Sequence, residues 1–169
     1  SHNAANIHTV LVEKWLLELG LSASDLCCGP QTPRDRDAKI DLFKANLKPC
    51  RIHNNCSGKH SGFLTLTKHL RAGANYVSID HPVQKACLEA YEMTTNEISP
   101  GFGIDGCSAP NHAFTLKGIA KAMAWFADAK SRSDTSSKSA VRIIDAMLSY
   151  PELVAGEGRA CTELMRAAQ

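Results

Sequence analysis

The sequence lacks the features that mark a membrane protein or a protein that binds nucleic acid through bulk charge. No four consecutive residues are all Lys or Arg, and 19 basic residues nearly balance 17 acidic ones, for a net charge of +2. Electrostatic binding of nucleic acid needs a concentrated basic patch. The longest apolar-rich stretch, residues 119–129, contains Lys121 and Asp128 and is shorter than the ~20 residues that a bilayer requires. We therefore expect neither nucleic acid nor a membrane as a partner.

Aromatic residues are scarce at 6%, but hydrophobic residues of all kinds make up 44% of the 169. That content supports a buried core and excludes intrinsic disorder. No internal repeat or change in composition divides the chain, so we expect a single domain over residues 1–169. The first residue is Ser1 rather than Met, and the last residues continue a helical pattern. We therefore expect this chain to be the central part of a longer one.

Most of the chain shows helical periodicity, and the predicted fold class is mainly α. The predicted helices cover residues 7–19, 41–47, 59–72, 115–130 and 138–149, and a further one begins at Pro82. In the first helix, the predicted buried stripe consists of Ile7, Val10, Leu11 and Trp15. Residues 102–107 are rich in glycine and predict a short strand or a tight active-site loop, and residues 131–137 predict a linker.

Seven cysteines form the most informative part of the composition. A chain of this length and apolar content does not need disulfides for stability, and its first residues do not have the pattern of a signal peptide. We therefore expect free thiols, a reducing compartment and a cytoplasmic location. Free cysteines are mostly core residues, and a few act as ligands or nucleophiles.

The strongest candidate site is the polar run Asn54-Asn55-Cys56-Ser57-Gly58-Lys59-His60, which lies just before a predicted helix. Its Gly-Lys pair suggests a phosphate-binding loop, but that motif needs Gly at position 53 and Ser or Thr at position 60. Histidine occupies both positions. A nucleotide-binding loop is therefore excluded.

Two chemical interpretations of Cys56 remain open beside the simpler one, in which the thiols are buried structural residues. Cys56 is a candidate nucleophile, because a helix N-terminus together with Lys59 and His60 would lower the pKa of its thiol. It is equally a candidate metal ligand with Lys59 or His60, and Cys107 in a distant glycine-rich loop would complete the site.

Five sequence blocks resemble, in order, the signatures of the asparaginase II family, the rhizobial-type or class 3 L-asparaginases. They span almost the whole chain, which makes the resemblance far more specific than any single motif. The blocks are residues 1–3, 53–60, 80–84, 103–107 and 158–165.

The resemblance implies an amidohydrolase that converts L-asparagine into L-aspartate and ammonia. It also implies an α/β fold similar to serine β-lactamases and glutaminases, of which this chain would be a mainly helical part. A homodimer is a further expectation. The implied cofactor is zinc, which would help to position the substrate. The implied site residues are the zinc ligands Cys56, Lys59 and Cys107, the catalytic Ser1, and Asp105 and His60 as residues that support the site or contact the substrate.

The chain departs from the family pattern in its nucleophile. The family uses a Ser-x-x-Lys pair, and no such pair occurs in these 169 residues. The lysine that partners Ser1 in the family also has no match. We therefore expect the isolated chain to have little or no asparaginase activity, and the alternative is a non-catalytic zinc-binding module derived from the family.

The remaining cysteines and histidines have simpler expected roles. We predict packing or surface positions for Cys27, Cys28, Cys50, Cys87 and Cys161, and surface or core positions for His2, His8, His69 and His112.

Overall fold

The computed structural model describes residues 1–168, and most of them are helical. Three short 3-10 turns at Ala23–Asp25, Arg51–His53 and Ala129–Ser131 link longer elements. The prediction of a mainly α chain is therefore confirmed. The α-helices are α1 (Asn6–Glu18), α2 (Arg36–Lys44), α3 (Ser57–His69), α4 (Pro82–Thr95), α5 (Leu116–Ala127), α6 (Thr135–Ser149), α7 (Pro151–Val154) and α8 (Ala160–Ala167).

Side-chain caps explain where four of these helices begin, namely α2, α4, α5 and α6. The side chain of Thr115 accepts a hydrogen bond from the backbone N–H of Gly118 at the start of α5, which satisfies a donor that the helix itself leaves free. Pro82 occupies the first turn of α4, where its missing N–H costs nothing. Both helices start within one residue of the predicted positions.

Two helices extend beyond the predicted ranges because an aspartate caps each of them. Asp35 accepts from the N–H of Ala38, so α2 begins at Arg36 and not at residue 41. Asp134 accepts from the N–H of Ser137, so α6 begins inside the stretch predicted as a linker. An aspartate at the N-cap position stabilises a helix start by ~1 kcal/mol, which outweighs the weak apolar pattern of these first turns.

The two strands of the described residues form one antiparallel hairpin. β1 (Phe102–Ile104) pairs with β2 (Pro110–His112), and Gly103 lies opposite Asn111. The loop between them is closed by a hydrogen bond from Asp105 N–H to the Ala109 carbonyl at 2.9 Å. The predicted strand or tight loop at residues 102–107 is confirmed, and the hairpin holds residues 105–109 in a fixed turn.

The first helix turns a different face to the core from the one predicted. Val12 and Leu16 of α1 are buried with the neighbouring His8, whereas Ile7, Val10, Leu11 and Trp15 are at least 39% exposed. The predicted stripe is therefore wrong. Apolar residues lie on two sides of α1, and its contact with α3 decides which side is buried. The core around Val12 and Leu16 also contains Leu26, Cys28, Ile52, Leu64, Tyr76, Cys107 and Ala109.

From α3 onwards each helix contacts the next one along the chain, and α1 contacts α3. α3 lies between α1 and α4, and α5 lies between α4 and α6, which in turn contacts α7. Across residues 1–168, no helix has both the length and the apolar character to cross a bilayer. Helix α3 thus occupies a central position, with its N-terminus near the hairpin loop.

Candidate active site and metal centre

Three side chains that could hold a metal ion converge where α3 meets the hairpin loop. The Sγ atoms of Cys56 and Cys107 and a carboxylate oxygen of Asp105 all lie within 4.8 Å of one another. Cys56 is half-buried and immediately precedes α3, and Cys107 is only 2% exposed. The fold therefore brings together two cysteines that are 51 positions apart in the sequence, as the metal interpretation predicts.

Lys59 joins this group from the first turn of α3. Its Nζ lies 2.9 Å from Oδ2 of Asp105, and the thiol of Cys107 also donates to Oδ2 at 3.4 Å. Cys56, Lys59, Asp105 and Cys107 thus form one set of side chains, here called the thiol–lysine cluster. Every predicted zinc ligand belongs to it, together with the aspartate that was predicted beside them.

The charges in the thiol–lysine cluster are strongly coupled. Burial alone would lower the pKa of Lys59, but its hydrogen bonds to Asp105 and Cys107 and the nearby Cys56 outweigh burial and raise it above its usual value. The hydrogen bond from Lys59 lowers the pKa of Asp105. Without a bound metal, Lys59 is therefore an ammonium ion and Asp105 a carboxylate. A metal that binds Lys59 must first displace its proton.

The thiol of Cys56 has a raised pKa, contrary to the expectation for a nucleophile. Burial has the largest effect, and Cys107 and Asp105 add to it, while Lys59 opposes them. A raised pKa reduces the thiolate fraction on which cysteine nucleophiles depend. The predicted lowering is therefore wrong, because the buried thiol lies beside a second thiol and a carboxylate as well as beside the lysine.

Side-chain amides fix the loop that carries Cys56. Oδ1 of Asn54 accepts from the N–H of Cys56 at 2.9 Å, while its Nδ2 donates to the Gly29 carbonyl at 2.9 Å. The N–H of Asn55 donates to Oε1 of Gln31 at 3.0 Å. These bonds attach the loop to the segment before α2, so Cys56 is held in place before any ligand binds.

An open cavity of about 490 Å³ lies next to the thiol–lysine cluster. Its volume falls in the range of ~300–1,000 Å³ that is typical of small-molecule sites. Ser1 lies in its wall, so the predicted catalytic serine shares a cavity with three members of the cluster. The lining residues are Ser1, His2, Asn55, Cys56, Gly58, Lys59, Asp105, Leu153 and Val154.

His60 lies behind the cavity and is fully buried. The hydroxyl of Tyr76 accepts from the N–H of Cys27 at 2.6 Å and donates to Nδ1 of His60 at 2.8 Å. The proton of the neutral ring is therefore on Nε2, which has no hydrogen-bond partner among residues 1–168. Burial, aided by Lys59, lowers the pKa of His60 to about 4. His60 is not among the residues that line the cavity, and its role in the site stays a prediction.

His2 is a cavity residue whose role the sequence did not reveal. It was predicted as a surface or core residue, and it is buried but also lines the cavity beside Ser1. Its Nε2 lies 3.0 Å from Oγ of Ser57. The available signal was its place in the first sequence block, immediately after Ser1.

The geometry defines a mainly helical protein with a ligand-sized cavity beside a candidate metal centre, and a comparison with protein families identifies its class. The family model for L-asparaginase II matches residues 1–169. The chain therefore belongs to the L-asparaginase II family, whose members are hydrolases of the asparaginase type that act on small-molecule substrates. A search of curated proteins found no match to this chain.

Proposed function

We propose that this chain carries part of the active site of an amidohydrolase that converts L-asparagine into L-aspartate and ammonia. The observation that supports this proposal is that three members of the thiol–lysine cluster line a cavity whose wall also contains Ser1. Family membership indicates the amide substrate. The cavity geometry indicates which residues would face that substrate.

The thiol–lysine cluster has the donors that Zn²⁺ prefers. Thiolates with nitrogen or carboxylate donors are typical zinc ligands, and Cys56 and Cys107 supply two sulfurs within 4.8 Å of each other. We propose Lys59 as the third ligand and Asp105 as the residue that holds Lys59 through the 2.9 Å ion pair. Zinc bound there would help to position the substrate.

The cavity, Ser1 and His60 have proposed roles of their own in the reaction. Hydrolysis of the side-chain amide consumes one water and releases ammonia, so the site must admit water as well as asparagine. The open cavity allows this, and Ser1 in its wall is the proposed catalytic hydroxyl. His60, which is buried within α3 directly after Lys59, would support the helix turn that carries Lys59.

A second candidate, a zinc-binding module without catalytic activity, is favoured by one specific observation. The sequence contains no Ser-x-x-Lys pair, which the family uses for its nucleophile. The same thiol–lysine cluster would then bind zinc without turnover. The two candidates share the metal centre and differ only in catalysis, so they require separate measurements.

Metal analysis of the purified chain tests the metal centre. We expect stoichiometric zinc in the wild type and loss of zinc in Cys107→Ala. Cys87→Ala is the matched control, because Cys87 is half-buried in α4 and lies outside the cluster. A wild-type protein without zinc, or equal zinc in both variants, would show that the metal assignment is wrong.

Release of ammonia from asparagine tests catalysis. We expect little or no turnover by the isolated 169 residues, because the nucleophile pair is missing from the sequence. Turnover that Ser1→Ala abolishes would show that these residues suffice and would exclude the non-catalytic module. If asparagine is not hydrolysed and its addition does not change the spectrum of the cobalt-substituted protein, the result favours the non-catalytic zinc-binding module.

A further inference from the structure

His2 is attached to the loop before α3 through its backbone. Its N–H donates to the carbonyl of Asn55 at 3.1 Å, one residue before Cys56. The neighbouring Ser1 lies in the cavity wall. This hydrogen bond of His2 therefore helps to fix the neighbouring Ser1 relative to the loop that carries Cys56.

The hydrogen bonds of the His2 ring determine which nitrogen carries the proton. The backbone N–H of Ala4 donates to Nδ1 at 3.1 Å, so Nδ1 is an acceptor and carries no proton. The proton of the neutral ring is then on Nε2, which lies 3.0 Å from Oγ of Ser57 and donates to it. Both ring nitrogens are occupied, so the ring is not free to accept a proton from a substrate.

Ser57 connects this ring to the thiol–lysine cluster. It is the first residue of α3, it follows Cys56 directly, and it is fully buried. The hydrogen bond from Nε2 of His2 to the Ser57 hydroxyl therefore helps to hold the first turn of α3 in position. Cys56 immediately precedes that turn, and Lys59 lies within it, two residues after Ser57.

A second imidazole extends the connection to α7, which also lines the cavity. The rings of His2 and His8 are stacked, with centroids 4.8 Å apart and planes inclined by only 10°. Nε2 of His8 donates to the carbonyl of Glu152 in α7 at 3.0 Å. The next two residues of α7, Leu153 and Val154, line the cavity. The stacked pair thus joins the segments that carry Ser1, Cys56 and α7.

We propose that His2 is a positioning residue for this site, which acts through Ser57 on the metal ligand Cys56 while it fixes Ser1 beside it. The inference rests on the proposed function, because it takes Cys56 as a ligand. Partners that orient a ligand commonly change metal affinity by ~10–100-fold when they are removed.

Two substitutions of His2 separate its two hydrogen bonds. In His2→Asn the amide oxygen can replace Nδ1 as the acceptor for Ala4, but no donor reaches Ser57. In His2→Gln the amide nitrogen can replace Nε2 as the donor to Ser57. We expect Co²⁺ titration to show ~10-fold weaker binding and an altered thiolate-to-cobalt absorption for His2→Asn, and near wild-type behaviour for His2→Gln.

Ser57→Ala approaches the same bond from the other partner, and it keeps the test decisive if His2→Asn fails to fold. We expect Ser57→Ala to weaken cobalt binding as much as His2→Asn does, and the double variant to lose no more than either alone. His69→Asn, at the exposed end of α3, is the matched control. A lower melting temperature with unchanged cobalt affinity and spectrum would show a purely structural role and overturn the proposal.

Failure of the metal proposal would be visible separately, as a wild-type protein that does not bind cobalt. In that case the alkylation rate of Cys56, followed by mass spectrometry, tests the positioning role. Different rates in His2→Asn and wild type, with restoration in His2→Gln, would support the role of His2. Equal rates in all three proteins would overturn it.

Discussion

Nζ of Lys59 lies 2.9 Å from Oδ2 of Asp105, and this ion pair joins the first turn of α3 to the β1–β2 hairpin loop. The same contact opposes the proposed ligand role of Lys59, because it stabilises the ammonium form and so raises the pKa of the lysine. Metal binding through Lys59 must release a proton, whereas binding through Asp105 requires none. The two possible third ligands therefore differ in their pH dependence.

Asp105→Asn distinguishes these ligands. Removal of the carboxylate charge lowers the pKa of Lys59, so less free energy is needed to deprotonate the amine. If Lys59 is the ligand, zinc affinity in the variant will rise with pH along a curve shifted to lower pH than in the wild type. A competition titration with a chromophoric chelator over a series of pH values measures this shift.

The converse result has a clear interpretation. If Asp105 itself binds the metal, Asp105→Asn will weaken zinc binding at every pH, and Lys59→Met will leave the affinity nearly unchanged. That pattern would replace Lys59 by Asp105 in the ligand set. The two cysteines would remain ligands in either case.

Cys56 is expected to react slowly with alkylating reagents in the metal-free protein. Its half-buried thiol has a raised pKa, and reaction with iodoacetamide requires the thiolate. We expect Cys50 and Cys161, which are exposed, to be labelled first at pH 7 in a time course read by mass spectrometry. Preferential labelling of Cys56 would instead support a thiol hydrolase.

A side chain at Gly156 is expected to destabilise the fold. A Cβ atom there would lie 2.5 Å from the side chain of Asn3, and the backbone φ is +116°. Asn3 cannot easily move, because its Oδ1 accepts from the N–H of Ala5 and its own N–H donates to the Ala155 carbonyl. Gly156→Ala should therefore lower the free energy of unfolding by about 1–3 kcal/mol.

Gly73→Ala provides the comparison in urea unfolding experiments. No atom lies within 4 Å of a Cβ built at Gly73, so the substitution meets no steric obstacle. We expect a stability close to that of the wild type. Equal midpoints for the two variants would show that the contact between Gly156 and Asn3 contributes nothing to stability.

The sequence was sufficient to predict the thiol–lysine cluster, because its members lie in two short blocks that fold locally. Cys56 and Lys59 share one helix turn, and Asp105 and Cys107 share one hairpin loop. Only the approach of the two blocks is a tertiary event, and the family resemblance supplied it.

The buried face of a helix and the hydrogen-bond partner of a side chain were harder to predict than the positions of the helices and strands. Helix α1 is apolar on two sides, so periodicity alone did not show that Val12 and Leu16 are buried while Val10 and Leu11 stay exposed. The role of His2 depends on Ser57, which is 55 positions away. No local pattern encodes such a contact, because it forms only when the chain folds.

Acid is expected to destabilise the metal-free protein through its buried histidines. Burial and the nearby His8 lower the pKa of His2 to about 4, and burial also lowers that of His60 to about 4, both from an unfolded value near 6.5. Between these values the unfolded chain binds protons that the folded chain excludes. The stability present above pH 6.5 is therefore lost as the pH falls through about 4, by at most about 1.4 kcal/mol per pH unit for each histidine.

His60→Asn isolates one of these contributions. The amide oxygen can still accept from the hydroxyl of Tyr76, but the side chain does not titrate, so the fall in stability between pH 6.5 and 4 should be less steep. Urea unfolding in the presence of a chelator measures this slope, with the exposed His69→Asn as control. Carboxylates that bind protons in the same range affect wild type and variant alike, so the difference in slope reports His60 alone. Parallel curves for wild type and His60→Asn would mean that the imidazole is already protonated in the folded protein, and the hydrogen bond from Tyr76 would then need the opposite direction.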